Sequence, residues 1–133
     1  MSNVTANLDN TPVQFDTTMD VVIIKKVDHD IAGGKTLDVT GVTEAVLKAG
    51  RVIIEETATK VLKPLAISSG AYASLPSGHT YKGILIATIK TSKPFASVML
   101  AGNVNEAAIV NYELPAVPSG AKTALTHILF TQD

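Results

Sequence analysis

Short β-branched runs separated by turn residues dominate the chain from residue 20 onward. Asp20-Val21-Val22-Ile23-Ile24-Lys25 predicts a strand, Ala32-Gly33-Gly34-Lys35 a turn, and Lys35 to Val39 a second short strand with Leu37 and Val39 on one face. Gly41 ends that strand. Val46 to Gly50 predicts a turn feeding a strand at Arg51-Val52-Ile53-Ile54-Glu55-Glu56, and Val61-Leu62-Lys63-Pro64-Leu65 resumes after a polar break. Pro64 places that segment at an edge or a strand end, because proline donates no ladder hydrogen bond.

The small, polar stretch from Ser68 to Gly78 predicts a surface loop. Tyr81 to Ile89 then supplies a long apolar strand interrupted by Gly83. Ser92-Lys93-Pro94 turns the chain into a further strand at Phe95 to Ala101. Asn105 to Val110 reads equally as helix or strand, since Ala and Glu favour the first and Ile-Val the second. After Pro118, the residues Ala121, Ala124, Leu125 and Ile128 fall at helical spacing with Ser119 as the candidate cap. Leu129-Phe130-Thr131 predicts a last strand. About six to eight short strands with one or two short helices make a mainly β domain, a small barrel or sandwich.

The first 18 residues break this pattern. They are rich in Asn, Thr and Asp, and only Val4, Leu8, Val13 and Phe15 are large and apolar. No period of two or 3.6 is sustained, so the segment has no face of its own to bury. It reads as an extended arm whose four apolar residues bury against another surface, or as a frayed terminus. The expected division is residues 1–18 as a flexible N-terminal arm and 19–133 as a single β-rich body.

Composition narrows the functions. The 133 residues carry 11 basic and 12 acidic side chains, three Tyr, three Phe and no Trp, too little positive charge and aromatic surface for general nucleic-acid binding. The absence of cysteine removes disulfides, thiolate metal sites and cysteine nucleophiles. The apolar runs are far shorter than the roughly 20 residues that span a bilayer. The N-terminus has neither the basic nor the apolar region of a secretory signal, so synthesis in the cytoplasm is expected.

No catalytic constellation emerges from the motifs. Ala32-Gly33-Gly34-Lys35-Thr36 looks like the end of a phosphate-binding loop, but the required first glycine falls at His29, so a tight turn is the better reading. Asp28-His29-Asp30 would point to alternate faces of a strand, and His79 and His127 stand apart from acids in sequence. Ser68, Ser69 and Ser77 lack a nucleophile elbow, and Asn3-Val4-Thr5 is a glycosylation pattern without a secretory signal. Glu55 and Glu56 face two ways, while Glu106 and Glu113 are isolated. No catalytic, metal or cofactor-binding residue is assigned, and no small-molecule substrate is expected. A positive mean hydropathy with few charges instead favours association with itself or with a large scaffold.

Four segments carry a resemblance. They are Val46 to Ile53, Tyr81-Lys82-Gly83-Ile84-Leu85, Ala96 to Ile109 with its Val-Met-x-x-Gly-x-Val-Asn-Glu pattern, and Ala124 to Phe130 with Leu-x-x-Ile-x-Phe. In this order they resemble the lambda-type head decoration and head-fibre proteins of tailed bacteriophages, over roughly two thirds of the chain, Val39 to Phe130. The resemblance implies a small barrel-like body that forms a homotrimer on the outside of the phage head and cements the major capsid protein. It places the protein on the virion exterior, without cofactor, nucleic acid or membrane as partner, either as a stand-alone decoration or as the base of a head fibre. The arm would bind the capsid, with Val4, Leu8, Val13 and Phe15 in contact. The alternative is a receptor- or carbohydrate-binding surface module using Tyr72, Tyr81 and Tyr112. A third reading is a small enzyme around His29, His79 or His127.

Overall fold

A computed structural model describes residues 17–18, 20–111 and 114–132 of the chain. In chain order its elements are α1 (Asp20–Ile23), β1 (Ile24–Asp30), β2 (Lys35–Thr36), β3 (Val46–Leu47), β4 (Val52–Glu56), β5 (Leu62–Pro64), β6 (Ile67–Ser68), β7 (Ala71–Tyr72), β8 (His79–Leu85), β9 (Ile89–Lys90), β10 (Phe95–Ala96), β11 (Val98–Asn105), α2 (Glu106–Asn111), α3 (Ser119–Ala124) and β12 (Ile128–Thr131). The protein is mainly β with a few short helices.

The main sheet runs β1-β11-β8-β4-β5, and β12 pairs with β11 beyond the end of the β8 contact. The β11–β12 ladder is parallel, whereas the other ladders are antiparallel. Three two-stranded ladders, β2–β10, β3–β9 and β6–β7, lie outside it. None of the sheets closes into a barrel, which corrects the barrel half of the expectation. The path ends at β1 on one side and β5 on the other, and Pro64 ends β5 as the missing donor requires.

Both faces of the main sheet are covered, which explains why Val52-Ile53-Ile54 is apolar throughout rather than alternating. Val52, Ile54, Ile84, Met99 and Val104 belong to one core with Ile23, Ala108, Ile109, Ala121 and Leu125 of the helical segments. Ile53, Leu85 and Val98, one residue along in each strand, belong to a second core with Leu47 and Ala96 from the small ladders and Leu37 just after β2. Each strand thus serves two layers.

Two glycines make the strand crossings close. A Cβ on Gly83 would run into the Met99 carbonyl oxygen where β8 meets β11. A Cβ on Gly102 would meet the Lys26 carbonyl, within an irregular β1–β11 register.

Several sequence readings need correction. Asp20 to Ile23 forms a helical turn and the strand starts at Ile24, because Ile23 is fully buried and Asp20 is held by Thr88, and both contacts override β propensity. The strand expected at Lys35 to Val39 is two residues long. The stretch from Ser68 to Gly78 contains the β6–β7 ladder's second strand rather than pure loop. Asn105 to Val110 divides, with β11 ending at Asn105 and α2 following. Pro118, not Ser119, precedes the first turn of α3, without a side-chain cap bond, and the helix stops at Ala124. Leu125 and Ile128 are nonetheless buried with Ala121, and the last strand stands where expected. Val4, Leu8, Val13, Phe15, Tyr112 and Glu113 lie outside the described residues.

Candidate functional site

A cavity of about 220 Å³ opens between the loop of residues 38–44 and the chain leaving β5. Arg51 and Ile54 form its floor, and Asp38, Glu44, Lys63 and Pro76 are among its walls. Arg51 is 2% exposed although it carries a permanent charge. Its Nε and Nη2 donate to the Leu65 carbonyl at 3.0 and 2.8 Å, and Nη1 donates to Glu44 Oε2 at 3.3 Å. The guanidinium stands 5.9 Å from the centroid of the Tyr72 ring. Tyr72 in turn accepts the Val52 N–H at 3.2 Å.

Burial pushes the Tyr72 phenol above the ordinary tyrosine value, against the lowering effects of the Val52 N–H and the Arg51 charge. Asp38 behaves oppositely. Its Oδ1 accepts the Thr40 hydroxyl at 2.6 Å and the Thr40 N–H at 3.0 Å, and these bonds, helped by the charge of Lys63, hold it below the ordinary carboxylate value. The chemistry of the cavity is therefore largely internal: its guanidinium is committed to Leu65 and Glu44, and its aspartate to Thr40.

A second polar centre lies at α1, close to the first described residues. The Asp20 N–H donates to the Thr17 carbonyl at 3.1 Å, and the Asp20 carboxylate accepts the Thr88 N–H at 2.9 Å and hydroxyl at 2.7 Å. The Thr88 hydroxyl oxygen also accepts the Ala49 N–H at 3.2 Å. One carboxylate thus ties α1 to two loops. A third centre lies at the start of α2, where Glu106, 7% exposed, accepts Lys122 Nζ at 2.8 Å and Gln132 Nε2 at 2.7 Å.

The residues weighed for catalysis do not converge. Asp28, His29 and Asp30 are exposed along β1, with Asp28 paired to Lys26 at 3.3 Å. Nδ1 of His79 lies 3.0 Å from the backbone carbonyl of Ser77, not from its hydroxyl, and Nε2 is enclosed without a partner. His127 is exposed in the turn before β12. Ser69 adopts φ 54° at the β6–β7 turn, with Ser68 beside it. Glu55 pairs with Lys82 at 3.5 Å and Glu56 with the Thr59 hydroxyl at 3.0 Å. Among the described residues no three His, Cys, Asp or Glu side chains are grouped as metal ligands, and no helix is long and apolar enough to cross a membrane. Tyr72 sits beneath Arg51, and both Tyr72 and Tyr81 pack against the first core.

Sequence reasoning missed Arg51 and Asp20. A charge between Gly50 and Val52-Ile53-Ile54 signals a buried ion that requires partners, and an acid directly before an apolar run signals a tie at an element's start. The partners of each, 14 and 68 residues away, carry no such signal. No family model, curated protein or solved structure matches the chain.

Proposed function

We propose that this chain is a capsid decoration protein of a tailed bacteriophage, a homotrimer that docks on the outside of the head and cements the major capsid protein. The observation that carries this reading is the anchored root of the N-terminal segment. Asp20, Thr17 and Thr88 fix where a polar segment with spaced apolar residues Val4, Leu8, Val13 and Phe15 leaves a β-rich body. An extended segment of that composition suits addition to the edge of another protein's sheet, where main-chain hydrogen bonds give affinity and alternate side chains give register. The ordered series of segments from Val46 to Phe130 supports the same family, here with open sheets and two cores.

Cementing follows from avidity. A trimer presents three segments, and once one is engaged the others bind at a high effective concentration. Apolar burial at about 25 cal/mol per Å² drives each contact, offset by the cost of ordering the segment. A clamped shell resists the pressure of packaged DNA from inside. The same body would serve as the base of a head fibre.

The test is co-sedimentation of the full chain with expanded, empty phage heads. A variant with Val4, Leu8, Val13 and Phe15 all replaced by Ser is run beside it. The expected result is a trimer that sediments with heads, and a variant that stays trimeric but remains in the supernatant. Failure of the unmodified chain to bind any head would refute the reading, and binding to glycans instead would favour the receptor-binding alternative.

A further inference from the structure

We infer that the cavity over Arg51 is a binding site for a single neutral sugar ring, a ligand recognised by its hydroxyl groups and not by charge. The inference does not depend on the capsid reading. At about 220 Å³ the cavity is smaller than the roughly 300–1,000 Å³ of sites for drug-sized ligands, so it has room for one ring and not for a nucleotide or a folded peptide.

Four charged side chains line it, namely Asp38, Glu44, Arg51 and Lys63, and their charges cancel. They are also matched where they stand. Arg51 Nη1 pairs with Glu44 at 3.3 Å, and the charge of Lys63 acts on Asp38. An arriving phosphate or carboxylate would meet two carboxylates, and an arriving cation would meet a guanidinium and an ammonium. No net charge is left to select an ion, so selection falls to hydrogen bonds.

Hydrogen-bonding capacity remains after the internal bonds are made. A guanidinium has five N–H donors, and Arg51 uses three of them on Leu65 and Glu44. The other two have no acceptor among the described residues, on a side chain only 2% exposed. The half-buried Lys63 ammonium likewise donates to no described group. Asp38 takes both Thr40 bonds on Oδ1, which leaves Oδ2 as an acceptor. A hydroxyl both donates and accepts, so a ring of hydroxyls can serve Asp38 as donor and Arg51 and Lys63 as acceptor. The internal bonds hold Arg51 and Asp38 in place beforehand, so little freedom is lost when the ligand arrives. Ile54, Pro64 and Pro76 add apolar surface that suits the C–H side of a sugar ring. The site is distinct from a tyrosine platform: Tyr72 stands beside the guanidinium and is not part of the cavity lining.

The test is amide NMR of the full chain titrated separately with glucose, galactose, mannose and N-acetylglucosamine, and with free glycine and inorganic phosphate as charged probes. Lys63→Met and Asp38→Asn are titrated beside it, Lys93→Met is the control on an exposed residue outside the cavity, and thermal melting checks folding. At least one sugar is expected to bind in the millimolar range and to shift amides within residues 38–44 and 63–67, with each cavity variant weakening it about fivefold and the control unchanged. Silence of these amides toward all four sugars overturns the inference, as do sugar-induced shifts confined to another part of the chain. A stronger response to glycine or phosphate than to any sugar also overturns it, because the site would then select charge. Binding by both cavity variants as tight as that of the unmodified chain overturns it too. If either variant melts lower, the titrations of the unmodified chain and of the other variant decide. Sugar binding by a chain that also sediments with phage heads leaves both this inference and the decoration reading standing.

Discussion

Asp20 holds Thr88 by two bonds from one carboxylate, to the backbone N–H at 2.9 Å and to the hydroxyl at 2.7 Å. Thr88 is buried, so Asp20→Ala leaves two donors without their acceptor. Unpaired buried groups of this kind cost about 1–3 kcal/mol. Urea unfolding of Asp20→Ala is expected to show a loss of about 2 kcal/mol. Asn at this position keeps one acceptor oxygen and should lose about half as much. Limited proteolysis should cut the Ala variant faster near the α1 turn, because that turn loses its tie to the loops.

The contrast between Val52-Ile53-Ile54 and Asp20 to Ile23 shows what a sequence reveals of this fold. The first run was legible as a strand because length, β-branching and flanking turn residues agree. That it is buried on both faces depends on the helices and small ladders above and below it, which no local pattern encodes. Asp20 to Ile23 has equal β propensity yet coils into a turn, because Ile23 fills the space at Gly50 and Asp20 reaches Thr88. Two-residue ladders such as β3–β9 are shorter than any period can register. Residues 4–15 lie outside the described residues, and the tie of Asp20 to Thr88 was not legible, since it is a contact across 68 residues.

Replacement of Gly83 should be far more damaging than replacement of Gly33. Gly83 lies where β8 and β11 cross, and an added Cβ meets backbone that has no free rotamer to retreat into. Gly83→Ala is expected to lose about 3 kcal/mol or more, or to fail to fold. Gly33 sits at φ 75° with nothing within 4 Å of its would-be Cβ. Its Ala variant should lose about 1 kcal/mol, from the backbone conformation alone. Equal losses in denaturant titrations of the two variants would contradict the crossing geometry.

Arg51 should be sensitive to the shape of its head group as well as to charge. Two of its nitrogens converge on one carbonyl, Leu65 O, a fork that lysine cannot reproduce. Arg51→Met strands that carbonyl and removes the partner of Glu44, and about 3 kcal/mol of stability is expected to go with them. Arg51→Lys should fall between Met and the unmodified chain. Glu44→Gln should matter little, because that side chain is 38% exposed and solvent screens the pair. A lysine variant as stable as the parent would show that charge alone holds the cavity floor.

Stability should fall at both ends of the pH range, for opposite reasons. Burial raises the Tyr72 phenol above its ordinary 10.0, so the folded chain keeps that proton where the unfolded chain releases it. The contribution is intact below pH 10 and is lost as pH rises toward the raised value, with a slope approaching about 1.4 kcal/mol per pH unit. Asp38 is lowered from 3.8 by its bonds from Thr40, so the folded chain gives up that proton where the unfolded chain still holds it. Its contribution is present above pH 3.8 and disappears as pH falls through the lowered value. Absorbance at alkaline pH should therefore show the Tyr72 phenolate forming at higher pH in the folded chain than in the unfolded chain. Thr40→Val should flatten the acid limb and leave the alkaline limb unchanged, because it removes the hydroxyl bond to Asp38 and does not touch Tyr72. If Tyr72 ionises no later than a free tyrosine with the fold intact, burial does not raise its phenol as described.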